Sequence, residues 1–382
     1  MSRDLTVACY YFPNYHVDPR NEARHGRGWT EWELVKRGEP RFAGHQQPKV
    51  PLWGCEDEAD PSVMEKKIAA AADHDIDAFI FDWYYYNDGP FLERGLEHGF
   101  FNASNNARLK FAVMWANHDW VDIHPSKRNC PPQLQFPGVV TPETFDKMTD
   151  FLVGAYFSHP SYWCIDGRPY FSVYELSKFV ANFGGVEQTR RAVERFRAKV
   201  RAAGFRDLHL NAVVWGRPIL PGEKGEVHVN ELIERVPFDS VTSYVWIHHV
   251  PLDRFPQTPF EDVRDRYFAY AREAFDAHGA PYYPNATMGW DATPRVVQSD
   301  ILENSGYPSM ATISGNTPEA FAESIVMLRE MLADRPENER ILTINCWNEW
   351  TEGSYLEPDA VSGMAYLEAL RDALRGVEAT EA

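Results

Sequence analysis

Two glutamates near the C-terminal end of the chain have the spacing of a catalytic pair. Glu349 and Glu352 lie three residues apart, and Trp347, Asn348 and Trp350 flank them. Two carboxylates are poor material for a protein core, because a buried charge without a partner is costly. Cleaving or making a glycosidic bond, in contrast, needs one carboxyl group to give a proton and a second to remove one or to attack. The pair therefore predicts chemistry on a sugar, and the alternative is a solvated acidic turn.

A short strand has to position this pair. Residues 341–347 are mostly apolar and partly β-branched, and the run is too short for a helix, so it predicts a buried strand. Residues i and i+3 of a continuing strand face opposite sides, whereas a helical turn brings them to one side. Cooperation between the two carboxyl groups therefore predicts a strand that ends by Asn348 and a turn at Trp350 and Thr351.

Seven further strand-like runs precede this one and alternate with helical patterns. Asp60, Thr141 and Thr317 are each followed by proline, which is the pattern of a helix N-cap and first helical position. Eight strands alternating with helices predict an α/β fold, a (β/α)8 TIM barrel that occupies residues 1–382 as a single domain. A doubly wound open sheet is the alternative. The predicted strands are residues 5–11, 77–83, 109–115, 169–174, 208–215, 239–244, 282–288 and 341–347.

One segment, residues 12–55, shows neither helical nor strand periodicity. A connection of that length inside a barrel is usually functional, and it leaves the catalytic end of the first strand. We therefore expect a long loop over the catalytic face. Trp32 is bracketed by Glu31 and Glu33, which makes it hard to bury and suggests that it stacks on a sugar.

The ends of the predicted strands carry aromatic and hydrogen-bonding side chains. Catalytic groups of a barrel lie at the C-terminal ends of its strands, and aromatic rings with polar tips suit hydroxyl-rich ligands such as sugars. Core packing alone would not place such groups at the same end of nearly every strand, although it is an equal alternative for any single one. The candidate substrate-binding residues are Tyr10, Tyr11, Trp32, Asp82, Trp83, Tyr84, Trp115, Asn117, His118, Tyr174, Trp215, Tyr244, Trp246, Trp290, Trp347 and Asn348.

Composition excludes several classes of partner. The net charge of −18 argues against nucleic acid and anionic membrane surfaces, since phosphate groups attract faces rich in Lys and Arg. No apolar run approaches the length of a membrane span. Five scattered cysteines and an N-terminus without an apolar leader predict a cytoplasmic protein. The histidines form no i, i+4 pair around a glutamate, so we expect no metal, and we expect no cofactor.

Several motifs in combination resemble one family. They are residues 10–16 (YYFPNYH), 28–32 (GWTEW), 42–48 (FAGHQQP), 82–86 (DWYYY), 115–117 (WAN), 159–160 (HP), 166–169 (DGRP), 347–353 (WNEWTEG) and 355–358 (YLEP). With these segments the chain resembles the WbsX-like proteins of polysaccharide gene clusters, which are related to glycoside hydrolase family 99, the endo-α-mannosidases and endomannanases. The resemblance covers most of the chain.

The resemblance implies a role for each glutamate. In family 99 the Asn-Glu-Trp-x-Glu motif supplies both catalytic carboxyl groups, which here fall on Glu349 and Glu352. That family retains anomeric configuration: the first glutamate takes the proton of the sugar's 2-hydroxyl, which attacks C1 to give an anhydro-sugar, and the second protonates the leaving oxygen. The usual retaining pair forms a covalent glycosyl-enzyme instead, and spacing alone does not separate the two mechanisms.

The chain also departs from the family. Relatives carry a glutamate after Trp-Ala-Asn, where this chain has His118 and Asp119, and this difference implies a changed subsite. WbsX-like proteins were also named glycosyltransferases, so a glycosyltransferase or a transglycosylase of polysaccharide biosynthesis is the alternative function. The Asp-x-Asp that a nucleotide-sugar transferase commonly needs occurs at residues 75–77, just before a strand and thus opposite the catalytic end.

A non-catalytic carbohydrate-binding protein is a further alternative. It would keep the aromatic residues but would not need both Glu349 and Glu352. The sequence therefore favours a glycoside hydrolase acting on a polysaccharide or an oligosaccharide.

Overall fold

In the computed structural model, which describes residues 5–224 and 229–376, the predicted apolar runs form the strands of a parallel barrel. Neighbouring strands pair in the order β7, β6, β5, β4, β3, β2, β1, β8 and again β7. The predicted (β/α)8 TIM barrel is confirmed. Its strands are β1 (Thr6–Tyr11), β2 (Ala78–Tyr86), β3 (Lys110–Trp115), β4 (Arg168–Val173), β5 (His209–Val213), β6 (Ser240–Thr242), β7 (Tyr282–Tyr283 and Asn285–Thr287) and β8 (Ile341–Asn345).

The seventh strand closes the barrel in two pieces. Tyr282–Tyr283 pairs with β6, and Asn285–Thr287 pairs with β8. Pro284 separates the pieces because proline has no N–H to donate to a neighbouring strand. Its carbonyl group still accepts a hydrogen bond from the backbone N–H of Thr343 at 3.0 Å. Sequence analysis predicted one continuous run over 282–288, and the structure divides it at this proline.

Helices cover the outside of the barrel. The three predicted N-caps are confirmed, since the side chains of Asp60, Thr141 and Thr317 accept hydrogen bonds from backbone N–H groups of the following first turns. The helices are α1 (Pro19–His25), α2 (Trp32–Arg37), α3 (Pro61–Asp73), α4 (Pro142–Phe151), α5 (Leu176–Ala181), α6 (Val186–Ala202), α7 (Val229–Arg235), α8 (Phe260–Ala277), α9 (Pro318–Leu332) and α10 (Ala365–Arg375).

Shorter elements connect these helices and strands. Two π-helical turns occur at Gly95–Phe100 and Leu152–Tyr156. The 3-10 turns are Asn106–Arg108, Trp246–His248, Thr293–Arg295, Glu337–Glu339 and Trp350–Glu352. The short strands are Gly89–Phe91, Trp120–Val121, Leu134–Phe136, Cys164–Ile165, Gln257–Pro259, Thr312–Ser314, Asn348–Glu349 and Ser354–Tyr355.

The long segment after β1 contains more regular structure than its sequence pattern indicated. Helices α1 and α2 lie within residues 12–55, and Asp18 caps α1 by accepting from the N–H of Arg20 at 2.7 Å. The segment contacts the loops that follow β7 and β8: Phe12 and Asn348 exchange two hydrogen bonds of 2.8 Å, and His45 Nε2 lies 2.9 Å from Asp291 Oδ2. These contacts place it at the C-terminal end of the barrel strands.

Candidate active site

The loop after β8 turns where cooperation between the glutamates requires it. The strand ends at Asn345, and Asn348–Glu349 then pairs in antiparallel orientation with Ser354–Tyr355 around a 3-10 turn, Trp350–Glu352. Gly353 ends the turn with φ of 63°. The prediction of a strand that ends by Asn348 and a turn at Trp350 and Thr351 is confirmed. Both carboxyl groups consequently face one side.

A buried ion pair between Lys67 of α3 and Glu357 supports this loop. Glu357 accepts from the indole N–H groups of Trp347 at 3.0 Å and Trp350 at 2.6 Å, and Lys67 of α3 lies 2.7 Å from the same carboxylate. A buried charge persists when it is paired and fully hydrogen-bonded, so this arrangement fixes both tryptophans. Their indoles therefore help to hold the loop that carries Glu349 and Glu352.

One arginine lies between the two glutamates. Arg295, 4% exposed, donates from Nη2 to Glu349 Oε1 at 2.7 Å and from Nη1 to Glu352 Oε1 at 2.5 Å. It also donates to Glu31 of the 12–55 segment, from Nε at 2.9 Å and from Nη2 at 2.8 Å. Tyr307 donates to Glu352 at 2.6 Å and accepts from Arg295. A single guanidinium group therefore joins three carboxylates from distant parts of the chain.

The surroundings set the charge of each group in this cluster. Burial, and then repulsion from Glu352, raises the pKa of Glu349 well above its ordinary value. Burial also raises the pKa of Glu352, but Arg295 and the Tyr307 hydroxyl oppose the rise. Burial opposes ionisation of Glu31 as well, yet Arg295 and His124 outweigh it and lower the pKa of Glu31. Burial of both groups therefore favours a proton on this pair of glutamates, while Arg295 opposes protonation of each.

The glutamates form part of the wall of a cleft of about 680 Å³, including the space at its open mouth. Six of the sixteen candidate substrate-binding residues line it together with Glu349 and Glu352, namely Asp82, Tyr84, His118, Tyr174, Tyr244 and Trp290. The structure thus brings together groups from the ends of β2, β3, β4, β6, β7 and β8.

The other ten candidates lie outside the cleft lining. Trp83 and Trp115 face the outer layer, against Phe151 and Phe145, because successive residues of a strand point to opposite sides. Trp246, in the 3-10 turn after β6, packs against Phe260 of α8. The remaining seven lie behind the residues that line the cleft or pack against its loops, namely Tyr10, Tyr11, Trp32, Asn117, Trp215, Trp347 and Asn348.

Four of these seven residues make specific contacts behind the cleft or beside it. Tyr10 packs behind Tyr244 with ring centroids 4.7 Å apart, and Trp215 packs behind Tyr174 at 4.6 Å. The Tyr11 hydroxyl donates to Glu58 at 2.8 Å, and Asn117 exchanges two hydrogen bonds with the backbone of residue 175.

Trp32 is buried instead of stacking on the open cleft. Its ring packs between Tyr15, at 4.3 Å, and Trp350, at 5.8 Å. Its indole N–H donates to the carbonyl group of Glu56 at 2.9 Å. Helix α2 turns the flanking Glu31 toward Arg295 and leaves Glu33 on the surface, so the charges beside Trp32 do not prevent its burial.

Several cleft residues were not identified from sequence. Phe12, Trp120, His124, His248 and Arg295 contribute to the lining. Available signals were Asp291, whose Oδ1 accepts from the Thr293 hydroxyl at 2.6 Å just before the Thr293–Arg295 turn, and the aromatic residues that follow the WAN motif. No local pattern indicates that Arg295 meets Glu31.

The cleft histidines contribute hydrogen-bonding capacity rather than charge. Burial lowers the pKa of His118 and that of His124 to about 4, and it lowers the pKa of His248 to about 3. All three are neutral near pH 7. Within residues 5–224 and 229–376, no three His, Cys, Asp or Glu side chains cluster in a way that could hold a metal ion. Among the helices of these ranges, none has both the length and the apolarity to cross a membrane.

The barrel, with a cleft at the C-terminal ends of its strands, defines the class as an α/β protein of the TIM-barrel fold. The sequence profile of the family described as "Glycosyltransferase WbsX" matches residues 7–370, and the chain belongs to this family. The "Uncharacterized protein WxcX" of Xanthomonas campestris pv. campestris is 29% identical over 379 residues. That alignment covers 97% of this chain and 49% of WxcX, so the chain spans about half the length of its curated relatives.

Solved structures share the fold at low sequence identity. The GH99 endo-α-mannosidase of Bacteroides thetaiotaomicron is 15% identical, with a TM-score of 0.54 over 98% of each chain. A "Glycoside hydrolase-like protein" is 14% identical, with a TM-score of 0.58 over 98% of this chain and 94% of the other. The family 1 β-glucosidase of Thermotoga maritima is 10% identical, with a TM-score of 0.50 over 99% and 98%. These likenesses establish the TIM-barrel fold.

Proposed function

We propose that this protein is a glycoside hydrolase that cleaves a polysaccharide or an oligosaccharide with Glu349 and Glu352. The observation that carries this proposal is the convergence of the two carboxyl groups on Arg295, at 2.7 and 2.5 Å, in the wall of an aromatic cleft. Paired carboxyl groups of this kind supply the acid and the base that glycosidic cleavage requires. The likeness of the fold to a GH99 endo-α-mannosidase is consistent with the proposal.

The two glutamates take the roles that the family resemblance implies. Glu349 accepts the proton of the sugar's 2-hydroxyl, and the oxygen of that hydroxyl attacks C1. Glu352 gives a proton to the leaving oxygen as the glycosidic bond breaks. In the second half, Glu352 takes a proton from water, the water oxygen attacks C1, and Glu349 returns its proton to the 2-oxygen. The net reaction is hydrolysis with retention.

The mechanism starts with one proton on the pair, held by Glu352. Burial raises the pKa of both carboxyl groups, which favours a proton on the pair near neutral pH. Arg295 contacts only Oε1 of each carboxyl group, so the second oxygen of each is available to a sugar or a proton. Binding of the 2-hydroxyl beside Glu349 stabilises its carboxylate form and moves the proton to Glu352.

The family description also suggests transfer of a sugar to another sugar. The Asp-x-Asp segment gives a nucleotide-sugar transferase little support: Asp77 accepts from the N–H of Val7 at 2.7 Å, and Asp75 pairs with Arg375 at 2.7 Å. Both lie at the N-terminal end of the barrel. Transglycosylation by the same glutamate pair keeps the first half of the mechanism and replaces water with a sugar hydroxyl.

The test uses 4-nitrophenyl α-mannosides and β-glucosides of one to three sugar units. Glu349→Gln and Glu352→Gln should each lower kcat/KM by about 10³-fold without loss of thermal stability, because they remove a titratable group and keep its shape. The matched control is Glu33→Gln, an exposed glutamate of α2, which should keep full activity. Full activity in both cleft variants would refute the assignment.

The leaving group separates the two roles. A 2,4-dinitrophenyl group departs without acid assistance, so Glu352→Gln should recover most of its rate on that substrate and Glu349→Gln should not. Recovery by Glu349→Gln alone would assign the acid to Glu349. Product analysis by NMR, with and without an added sugar acceptor, distinguishes hydrolysis from transfer.

A further inference from the structure

A buried carboxyl group at the C-terminal end of β2 has no part in the mechanism above. Asp82 is 3% exposed and lines the cleft, and its Oδ2 lies 2.9 Å from the Tyr244 hydroxyl. Its Oδ1 is buried without a hydrogen-bond partner among the described residues. A buried carboxylate needs a cation or several donors to offset its lost hydration. This environment therefore favours the neutral acid.

Burial and the titratable groups that face Asp82 favour its neutral form. Burial, and then repulsion from Glu352, raises the pKa of Asp82 well above its ordinary value, although the hydrogen bond to Tyr244 acts in the opposite direction. Glu349 is the other carboxyl group within range. The remaining neighbours are phenols and thiols whose own pKa values burial raises, namely Cys9, Tyr10, Tyr84, Tyr174, Tyr244 and Cys346.

The protonation state of Asp82 decides what the Tyr244 hydroxyl can do. An ionised Asp82 only accepts, so Tyr244 must donate to it. A neutral Asp82 can donate from Oδ2 to the phenol oxygen, which leaves the phenol hydrogen free to donate elsewhere. The ring of Tyr244 is held between Tyr10, at 4.7 Å, and Tyr174, at 5.5 Å, and it lines the same cleft as the catalytic pair.

We propose that Asp82 and Tyr244 form a hydrogen-bond relay, in which neutral Asp82 donates to the Tyr244 hydroxyl and Tyr244 donates to an oxygen of the sugar bound beside Glu349 and Glu352. Tyr244 is then a glycan-contacting residue, and Asp82 is a positioning residue that acts through it. The relay rests on the proposed hydrolase function. It recognises a neutral sugar oxygen, either a hydroxyl or the ring oxygen.

Three substitutions test the relay on the 4-nitrophenyl glycoside that the wild type cleaves fastest. Asp82→Asn keeps a donor toward Tyr244, because its amide N–H replaces the acid O–H, so kcat/KM should fall less than tenfold. Asp82→Ala and Tyr244→Phe should each lose about 100-fold, and the double variant should lose no more than either alone. Equal losses in Asp82→Asn and Asp82→Ala, or full activity in Asp82→Ala, would overturn the relay.

The pH profile distinguishes the relay from a purely structural role. The neutral form of Asp82 is the active one, so kcat/KM of the wild type should fall as pH rises through the pKa of Asp82. The 2,4-dinitrophenyl substrate is used because it does not need the general acid, whose ionisation also produces an alkaline limb. Asp82→Asn should lack this limb. An alkaline limb that is the same in both proteins would overturn the proposal.

Infrared spectroscopy of the substrate-free protein addresses Asp82 directly. The difference between wild type and Asp82→Asn at pH 7 should contain the carbonyl stretch of a protonated carboxyl group. Asp119→Asn is the matched control and should show no such band, because Asp119 pairs with Lys178 at 3.0 Å and accepts from the N–H of Gly138 at 2.8 Å. An ionised Asp82 would overturn the relay. Lack of turnover of every glycoside by the wild type counts instead against the hydrolase function.

Discussion

At the scale of single residues, one guanidinium group contacts three carboxyl groups at the cleft. Arg295 contacts Glu31, Glu349 and Glu352, all of them buried. Burial opposes the charge on Arg295, but the three carboxylates hold its pKa well above the ordinary value. Removal of one partner of a buried ion pair costs about 3–5 kcal/mol, because the remaining charges are left uncompensated. Arg295 therefore links the stability of the C-terminal end of the barrel to the acidity of Glu349 and Glu352.

Substitution of Arg295 by Met should move the acid limb of the kcat/KM profile to higher pH. Arg295 lowers the pKa of both glutamates, so its loss raises the pKa of the group that must ionise. The free energy of unfolding at pH 7 should fall by about 3–5 kcal/mol. Glu31 contributes its share of stability above its unfolded-state pKa and loses it as pH falls. The difference from wild type should accordingly shrink in acid.

The matched variant is Arg295→Lys, which keeps the charge but not the three-way geometry of the guanidinium group. Its acid limb should lie between those of the wild type and Arg295→Met. Denaturant titrations and pH profiles on one substrate provide both measurements. An acid limb that stays in place in Arg295→Met would show that Arg295 does not control the ionisation of the pair.

At the scale of elements, the turn after β8 depends on one glycine. Gly353 has φ of 63°, and a Cβ there would lie 2.7 Å from Asp291 Cβ and 2.9 Å from Asp291 N. The N–H of Asp291 donates to the carbonyl of Glu352 at 2.5 Å, so the loops after β7 and β8 touch at this point. The same contact aligns the turn that carries Glu352 with the turn that carries Arg295.

Replacement of Gly353 by Ala should lower both stability and activity. The strained φ and the close contact together cost about 2–4 kcal/mol. Relief of the contact shifts Glu352, so kcat should fall by at least tenfold. Gly279→Ala is the control: this residue has the same φ of 63°, with nothing within 4 Å of its Cβ. It should lose stability and keep kcat, and an equal loss of kcat in both variants would refute the positional argument.

Helix α2 and the loop after β8 support each other through Trp32. The indole is buried between Tyr15 and Trp350. Trp32→Ala should therefore lower the free energy of unfolding by about 3–5 kcal/mol and change glycan affinity little, measured with the inactive Glu352→Gln protein. Trp53→Ala, a partly exposed indole beside Lys66, is the control with a smaller loss. Weakened affinity at an unchanged melting temperature would show instead that Trp32 stacks on the sugar.

At the scale of the whole molecule, the sequence pattern predicted the barrel because every barrel strand is a short apolar run between polar turns. The turn that brings Glu349 and Glu352 to one side was predictable too, because residues that are neighbours in sequence form it. The pattern does not show which side of a strand faces the cleft. Trp83 was therefore as strong a candidate for substrate binding as Asp82 and Tyr84. Arg295 and Glu31 meet across 264 positions, a contact that exists only once the barrel closes.

The long segment shows a second limit of the sequence. Residues 12–55 carry the Asp18-Pro19 start of α1, the same signal that identified three outer helices, but its helices are too short to give a period. Glu31, His45 and Phe12 of this segment all reach the C-terminal end of the barrel. We infer that the segment and the barrel form a single domain with one cleft.

The charge of the whole chain predicts which sugars the cleft accepts. The net charge is −18, and Arg295, which lines the cleft, is already engaged by Glu31, Glu349 and Glu352. An anionic sugar is therefore repelled both at long range and at the site. A neutral 4-nitrophenyl glycoside should show little dependence of kcat/KM on salt. Its uronide counterpart, which differs by one carboxylate, should be cleaved at least tenfold more slowly.

Added salt should partly restore the slower rate, because screening at 0.1 M extends over about 10 Å and weakens the repulsion between exposed charges. The comparison of the two glycosides between low and high ionic strength measures this effect on one enzyme preparation. Asp119→Asn provides an internal check, since it removes one cleft charge and should narrow the gap between the two substrates. Faster cleavage of the uronide at every salt concentration would contradict this account, since the cleft would then have to stabilise an anion that its carboxylates repel.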